Sequence, residues 1–243
     1  MTGNLTAGKS VGVDAFGDVQ GDISAEDVAS IGAKGSVSGT VHADNVVNID
    51  AFGNVSSTVD ADWYASVKSW GDVSGSVTTG GSAIVWAHGN VSGPVTSNLE
   101  ADVSAWGDVT GFVSSGYYAK VWAAGEISGG VYAADDAAVG AYGIISGSVT
   151  AGMNAQVESQ DAISGAVTAG ANAYVESFEN VTGAVSATGS AIVKALGSVS
   201  GAVSAGQNAT VEAWGNLTSS VSAGTVANVS VHGNISNATI TGP

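Results

Sequence analysis

Gly71-Asp72-Val73-Ser74-Gly75-Ser76-Val77-Thr78-Thr79-Gly80-Gly81-Ser82-Ala83-Ile84-Val85-Trp86-Ala87-His88 decides the fold, because the chain keeps returning to this 18-residue pattern. With Gly71 as slot 1, later coils begin at Gly89, Gly107, Gly125, Gly143, Asp161, Glu179, Gly197, Gly215 and Gly233. Earlier coils begin at Gly17, Gly35 and Gly53. The 243 residues make 13.5 periods, and the phase holds to Ile235 before it is lost at Thr239 and Ile240. A fixed internal period of this kind is the mark of a solenoid.

From Val19 to Ile235 slot 3 is branched and apolar in every coil, as in Val37, Val55, Val73, Val91, Val109 and Ile127. Slot 7 is Val, Ile or Leu until Thr239, and slot 15 is only Val or Ile. Slots 9, 13 and 17 are small, mostly Ala, and slot 5 is Gly except at Ser57, Ser219 and Asn237. Polar residues alternate with these positions, and a period of two means strands with one buried face. The pattern predicts a longer strand over slots 3–9, a tight turn at slots 10–12 and a shorter strand over slots 13–17. Gly80, Gly81, Gly116, Gly152, Gly170 and Gly206 would supply turn geometry that other residues resist.

One coil cannot bury its own apolar face, so copies must stack about 4.8 Å apart in parallel ladders. The fold expected is all-β, a single parallel β-solenoid (β-helix) over residues 1–243, about 65 Å long at that spacing. A left-handed triangular helix would want bulky aliphatics at slots 3, 9 and 15. Slot 9 is small or polar, and parallel crossovers are mostly right-handed, so the right-handed form is favoured. Solenoid ends need caps, and neither end shows one, so the chain reads as a segment of a longer array.

Composition closes off several functions. The net charge is −16, from 5 Lys+Arg against 21 Asp+Glu, which repels phosphate backbones and excludes nucleic acid as a partner. No apolar run is long enough for a transmembrane helix, so membrane insertion is not expected. No signal peptide is visible in residues 1–10. The absence of Cys removes disulfides and thiolate metal sites. Hydrophobic residues make up 44% and mean hydropathy is +0.27, which argues for order.

The string Gly71-Asp72-Val73-Ser74-Gly75-Ser76-Val77-Thr78, repeated around Gly107 and Gly197, resembles the Gly-x-Val-x-Gly-x-Val coils of bactofilins. That resemblance implies a bacterial polymer-forming protein with a right-handed β-helical core. The chain departs from it in having about twice the coils, greater regularity and strong acidity. It is also similar to the repeat arrays of large bacterial surface proteins.

Three surface features are candidate sites. Slot 18 carries Trp70, Trp106, Tyr142, Phe178 and Trp214 at intervals of 36 residues, with Phe16 and Phe52 in the same column and Trp86 and Trp122 at slot 16 between them. A column of exposed aromatics suits lateral association or sugar stacking. Slots 4 and 8 carry Ser74, Thr78, Ser92, Thr96, Thr110, Ser114, Ser146, Thr150, Ser164 and Thr168, read as one flat hydroxyl face of the kind ice or crystalline glycan would require. Acids stack at slot 16 (Glu158, Glu176, then Glu212 across Lys194) and at slot 10 (Glu26, Asp44, Asp62). Ca²⁺ could relieve their repulsion, but no Ca²⁺ motif repeats, and no cofactor is expected. His42, His88 and His232 have no partners at triad or zinc spacing and read as exposed variants of the repeat.

The sequence therefore predicts a structural protein without catalytic residues, since β-helix enzymes need long loops and paired carboxylates in a cleft. Its first reading is a spacer, stalk or adhesin segment of an extracellular bacterial surface protein, with a cell-surface glycan as a candidate ligand. The alternatives are a bactofilin-like self-assembling filament in the cytoplasm, joined end to end or laterally, and an ice- or glycan-binding solenoid.

Overall fold

The computed structural model describes residues 1–242, as two compact units, Met1–Ala124 and Gly125–Pro243. Each is a parallel β-solenoid. The first holds seven long strands, from Val11–Ala15 to Glu100–Ala105 and Tyr118–Ala123. The second holds six, from Ala137–Ala141 to Asn208–Ala213 and Val226–Val231. Partners stand 18 residues apart, as Val67 on Val85 and Val85 on Val103 in the first unit, and Val157 on Val175 and Val175 on Val193 in the second.

The coil from Gly71 shows how the residues make this shape. Val73 forms a lone bridge to Val55 and Val91. The chain bends at Gly75, runs as a short strand over Val77–Thr79, bends at Gly80 and Gly81, and runs as a long strand over Ser82–Ala87. Each coil thus has three sides. The strand expected over slots 3–9 is broken at slot 5, and the stretch expected to be shorter is the longer one.

The break has a backbone cause. The N–H groups of Ser74 and Gly75 both donate to the Val55 carbonyl, at 2.9 and 3.4 Å, and Ser92 and Gly93 repeat this on Val73 at 2.9 and 3.4 Å. Two successive donors converge on one acceptor only where the chain turns. A Cβ at Gly75 would overlap the Ser57 carbonyl one coil earlier. Slot 5 is therefore a corner of close backbone approach. In the first coils Gly21 and Gly39 also need positive φ, at 135° and 109°. Asn237 holds the same slot at φ 55°, a region Asn tolerates. It absorbs one extra residue, so Val221 pairs with Ile240, 19 positions on, which is where the periodic pattern fails.

The glycines at slots 10 and 11 act differently from expectation. None of Gly80, Gly81, Gly116, Gly152, Gly170 or Gly206 has positive φ. Each instead lies against a carbonyl of the coil before it, Gly81 against Trp63 and Gly152 against Ala134.

The core is a narrow stack of branched and small residues. Val73, Val77 and Val85 are each 1% exposed, and Ala83 and Ala87 are fully buried. Each buried Val contributes about 1.5–3 kcal/mol relative to an exposed one, and the small partners let the three sides close on it. Buried hydroxyls are matched to backbone. Ser69 Oγ donates to the Gly53 carbonyl at 2.8 Å and accepts from the Gly71 N–H at 3.1 Å, while Ser159 and Ser177 do the same in the second unit. Ser57 and Ser97 are the exceptions among the described residues, with Oγ atoms buried and unpartnered.

Slot 9 is Ala in most coils, so Ser97→Ala should remove an unpaired hydroxyl without leaving a void. It is expected to stabilise the protein by about 1 kcal/mol. Val103→Ala in the fully buried slot 15 should destabilise by about 2 kcal/mol. Urea unfolding of both variants checks the opposite signs.

Candidate interaction surface

Because every slot is stacked, an outward side chain repeated in one slot becomes a column. In the first unit the slot 18 column is continuous. Phe52 stacks on Trp70 at 5.9 Å between ring centroids and 12° between planes. Trp70 stacks on His88 at 6.0 Å and 21°, and His88 on Trp106 at 6.1 Å and 20°. Lys34 places its Nζ 4.1 Å from the Phe52 centroid, which extends the column by a cation–π contact. Trp86 meets Trp70 edge-on at 5.6 Å, and Trp122 meets Trp106 edge-on at 6.0 Å. The expected beat of 36 residues is thus bridged by His88. The signal was present in the sequence, since His88 shares the slot of Trp70 and Trp106.

In the second unit Tyr142, Phe178 and Trp214 occupy the same slot and are exposed. His232 stacks on Trp214 at 4.3 Å and 17°. Phe178, Leu196 and Trp214 line a shallow groove of about 160 Å³ with Glu176, Lys194 and Glu212. Sugar recognition uses the open face of a ring. From Phe52 to Trp106 the rings turn their faces to one another along the column, and what they present outward is edges.

The hydroxyl residues lie on two sides of a bend. Ser74, Ser92, Thr110, Ser146 and Ser164 adjoin the lone bridge of slot 3, before the slot 5 corner. Thr78, Thr96, Ser114, Thr150 and Thr168 sit at the middle of the short strands, after it. Ser146 is engaged locally, donating to Glu126 Oε1 at 2.6 Å.

A third column went unread in the sequence. Slot 2 side chains accept the slot 2 N–H of the next coil: Asp18 from Ser36 at 2.8 Å, Asn54 from Asp72 at 2.9 Å, Asp72 from Asn90 at 2.8 Å and Asn90 from Asp108 at 2.7 Å. The second unit repeats this from Asn180 to Ser198 at 2.7 Å and from Asn216 to Asn234 at 2.9 Å. It has no such acceptor at Ile144 and Ala162. Asn54, Asn90, Asn180, Asn216 and Asn234, each the start of an Asn-x-Ser/Thr string, belong to this ladder.

Several acids have neighbouring side chains as partners. His42 sits between Asp44 and Asp60, at 3.1 and 3.0 Å. Lys120 pairs with Asp102 at 3.1 Å. Gln156 donates to Glu158 at 2.7 Å, and Tyr174 donates to Glu176. Lys194 pairs in register between Glu176 and Glu212, with its Nζ 5.6 Å from the Tyr174 centroid. Among the described residues no group of three or more His, Cys, Asp or Glu is arranged to hold a metal ion, and no helix is long and apolar enough to cross a membrane.

The bond to Glu176 pushes the Tyr174 pKa up from 10.0 to about 12, because a phenolate cannot donate and would face a carboxylate. A raised pKa means the stabilisation from this bond is complete below pH 10 and is lost as the pH rises through about 12. The ¹³Cζ resonance of Tyr174 should titrate near 12, and Glu176→Gln should bring its midpoint down towards 10.

Comparison with known families gives one match. Residues 1–85 match the family model described as "Bactofilin: Polymer-forming cytoskeletal". No curated protein and no solved structure matches the chain. Residues 1–85 are therefore similar to a polymer-forming cytoskeletal family, and the same 18-residue register runs on beyond them within each unit.

Proposed function

We propose that this chain is a non-enzymatic, self-assembling filament protein of the bactofilin kind. The observation that carries the reading is the match of residues 1–85 to a polymer-forming family, on coils whose backbone ladder is the same one used throughout both units. It favours the filament over the extracellular stalk or adhesin that the repeat first suggests. The reading puts the protein in the cytoplasm.

The chemistry of assembly follows from the fold. A parallel stack adds a coil by pairing a row of N–H and C=O groups and covering slots 3, 7 and 15. The ladder is indifferent to whether the next coil comes from the same chain or from another copy. Covering the branched side chains of slots 3, 7 and 15 with a further coil would drive growth along the stack direction.

Electron microscopy and sedimentation over rising protein concentration test this. Filaments that lengthen with concentration are expected. Uniform short particles that never grow would remove the reading and return the spacer as the better account.

A further inference from the structure

On outward slots 16 and 18 of the first unit, charge alternates coil by coil as Asp14, Lys34, Asp50 and Lys68, all exposed. The register places Asp14 beside Gly32, Gly32 beside Asp50 and Asp50 beside Lys68. Asp14, Asp50 and Lys68 share the slot 16 column and Lys34 stands on slot 18, so successive charges lie on successive coils, spaced about 4.8 Å along the stack. Rings flank them: Phe16 is 98% exposed, Phe52 52% and Trp70 48%. A groove of about 220 Å³ runs between Asp14, Phe16, Lys34, Asp50 and Phe52. The four charges cancel, in a chain that carries −16.

A row of alternating signs is its own complement when reversed. Consider a second copy laid alongside, antiparallel, with the two-fold axis between the coils of Lys34 and Asp50. Asp14 of each copy then faces Lys68 of the other and Phe16 faces Trp70, while Lys34, on slot 18, comes level with the other copy's Asp50 on slot 16, diagonally across the strip. A parallel, in-register pair would set acid on acid and lysine on lysine. With Phe16 almost fully exposed and Phe52 and Trp70 about half exposed, rings of 150–250 Å² give roughly 400 Å² of apolar surface, the size of the largest apolar patch on a typical monomer, which is often functional. The second unit lacks the property. Its slot 16 reads Glu158, Glu176, Lys194, Glu212, and reversal sets Glu158 against Glu212.

We infer that the first unit pairs side by side with the first unit of a second copy, antiparallel, through this alternating strip. The contact is self-complementary, as a two-fold interface must be. It joins copies laterally and does not depend on growth along the stack.

A charge swap tests it. Lys34→Asp with Lys68→Asp makes an all-acidic strip, and Asp14→Lys with Asp50→Lys makes an all-basic one. Circular dichroism establishes that both still fold. In sedimentation below the concentration of filament growth, each alone should self-associate at least about tenfold more weakly than the parent chain. Mixing the two should restore the pair. In a chain without Cys, oxidising mixed Phe16→Cys and Trp70→Cys variants should cross-link them, while Phe16→Cys alone should not, since two copies of that position stand roughly 14 Å apart. Undiminished pairing of either charge variant, failure of the mixture, or a Phe16–Phe16 cross-link would overturn the inference. Loss of long filaments with lateral pairs intact would count only against the proposed function.

Discussion

The structure depends on one constraint: each coil's backbone must satisfy its N–H and C=O groups on the coil beside it, at a fixed separation of 18 residues. Side chains then have no freedom to choose their neighbours. Val85 sits on Val67 and under Val103 because the ladder puts it there. The corners obey the same rule. At Gly75 the carbonyl of Ser57 comes so close that a Cβ has no room. At slot 2 the side chains of Asp18, Asn54 and Asn90 reach the next N–H where the strand geometry cannot. An inserted residue must be absorbed in a corner, as Asn237 absorbs one with φ 55°.

What could be read from the sequence follows from how the core is encoded. Valines at slots 3, 7 and 15 differ sharply from their polar neighbours, so period, register and parallel stacking were all legible. The slot 5 corner was not, because a small residue with two-residue spacing looks like any other inward position. Gly75 continues the alternation of Val73 and Val77, and only the shared acceptor on Val55 reveals the turn. The slot 10 and 11 glycines misled in the opposite sense, since Gly81 and Gly152 keep ordinary φ and are confined by a carbonyl. His88 looked isolated because its partners, Trp70 and Trp106, are 18 residues away on either side. The hydroxyl columns were legible singly, but not that slots 4 and 8 lie on either side of the slot 5 corner.

Function in this architecture resides in columns, since single residues are repeated along the stack. The aromatic column of the first unit, capped by Lys34 on Phe52, is a continuous strip of ring edges in an otherwise acidic protein. Several of the protein's acids have side-chain partners, among them His42, Lys120 and Tyr174. A chain so built suits repetition between molecules as well as within one, in keeping with the polymer-forming family matched by residues 1–85.

Methyl–methyl nuclear Overhauser effects in a deuterated, valine-labelled sample test the common register most directly. Val73, Val91 and Val109 should each show contacts to the valine 18 positions away, in one unbroken series. Contacts at other separations, or none between these three, would contradict the stacked core and remove every surface column with it.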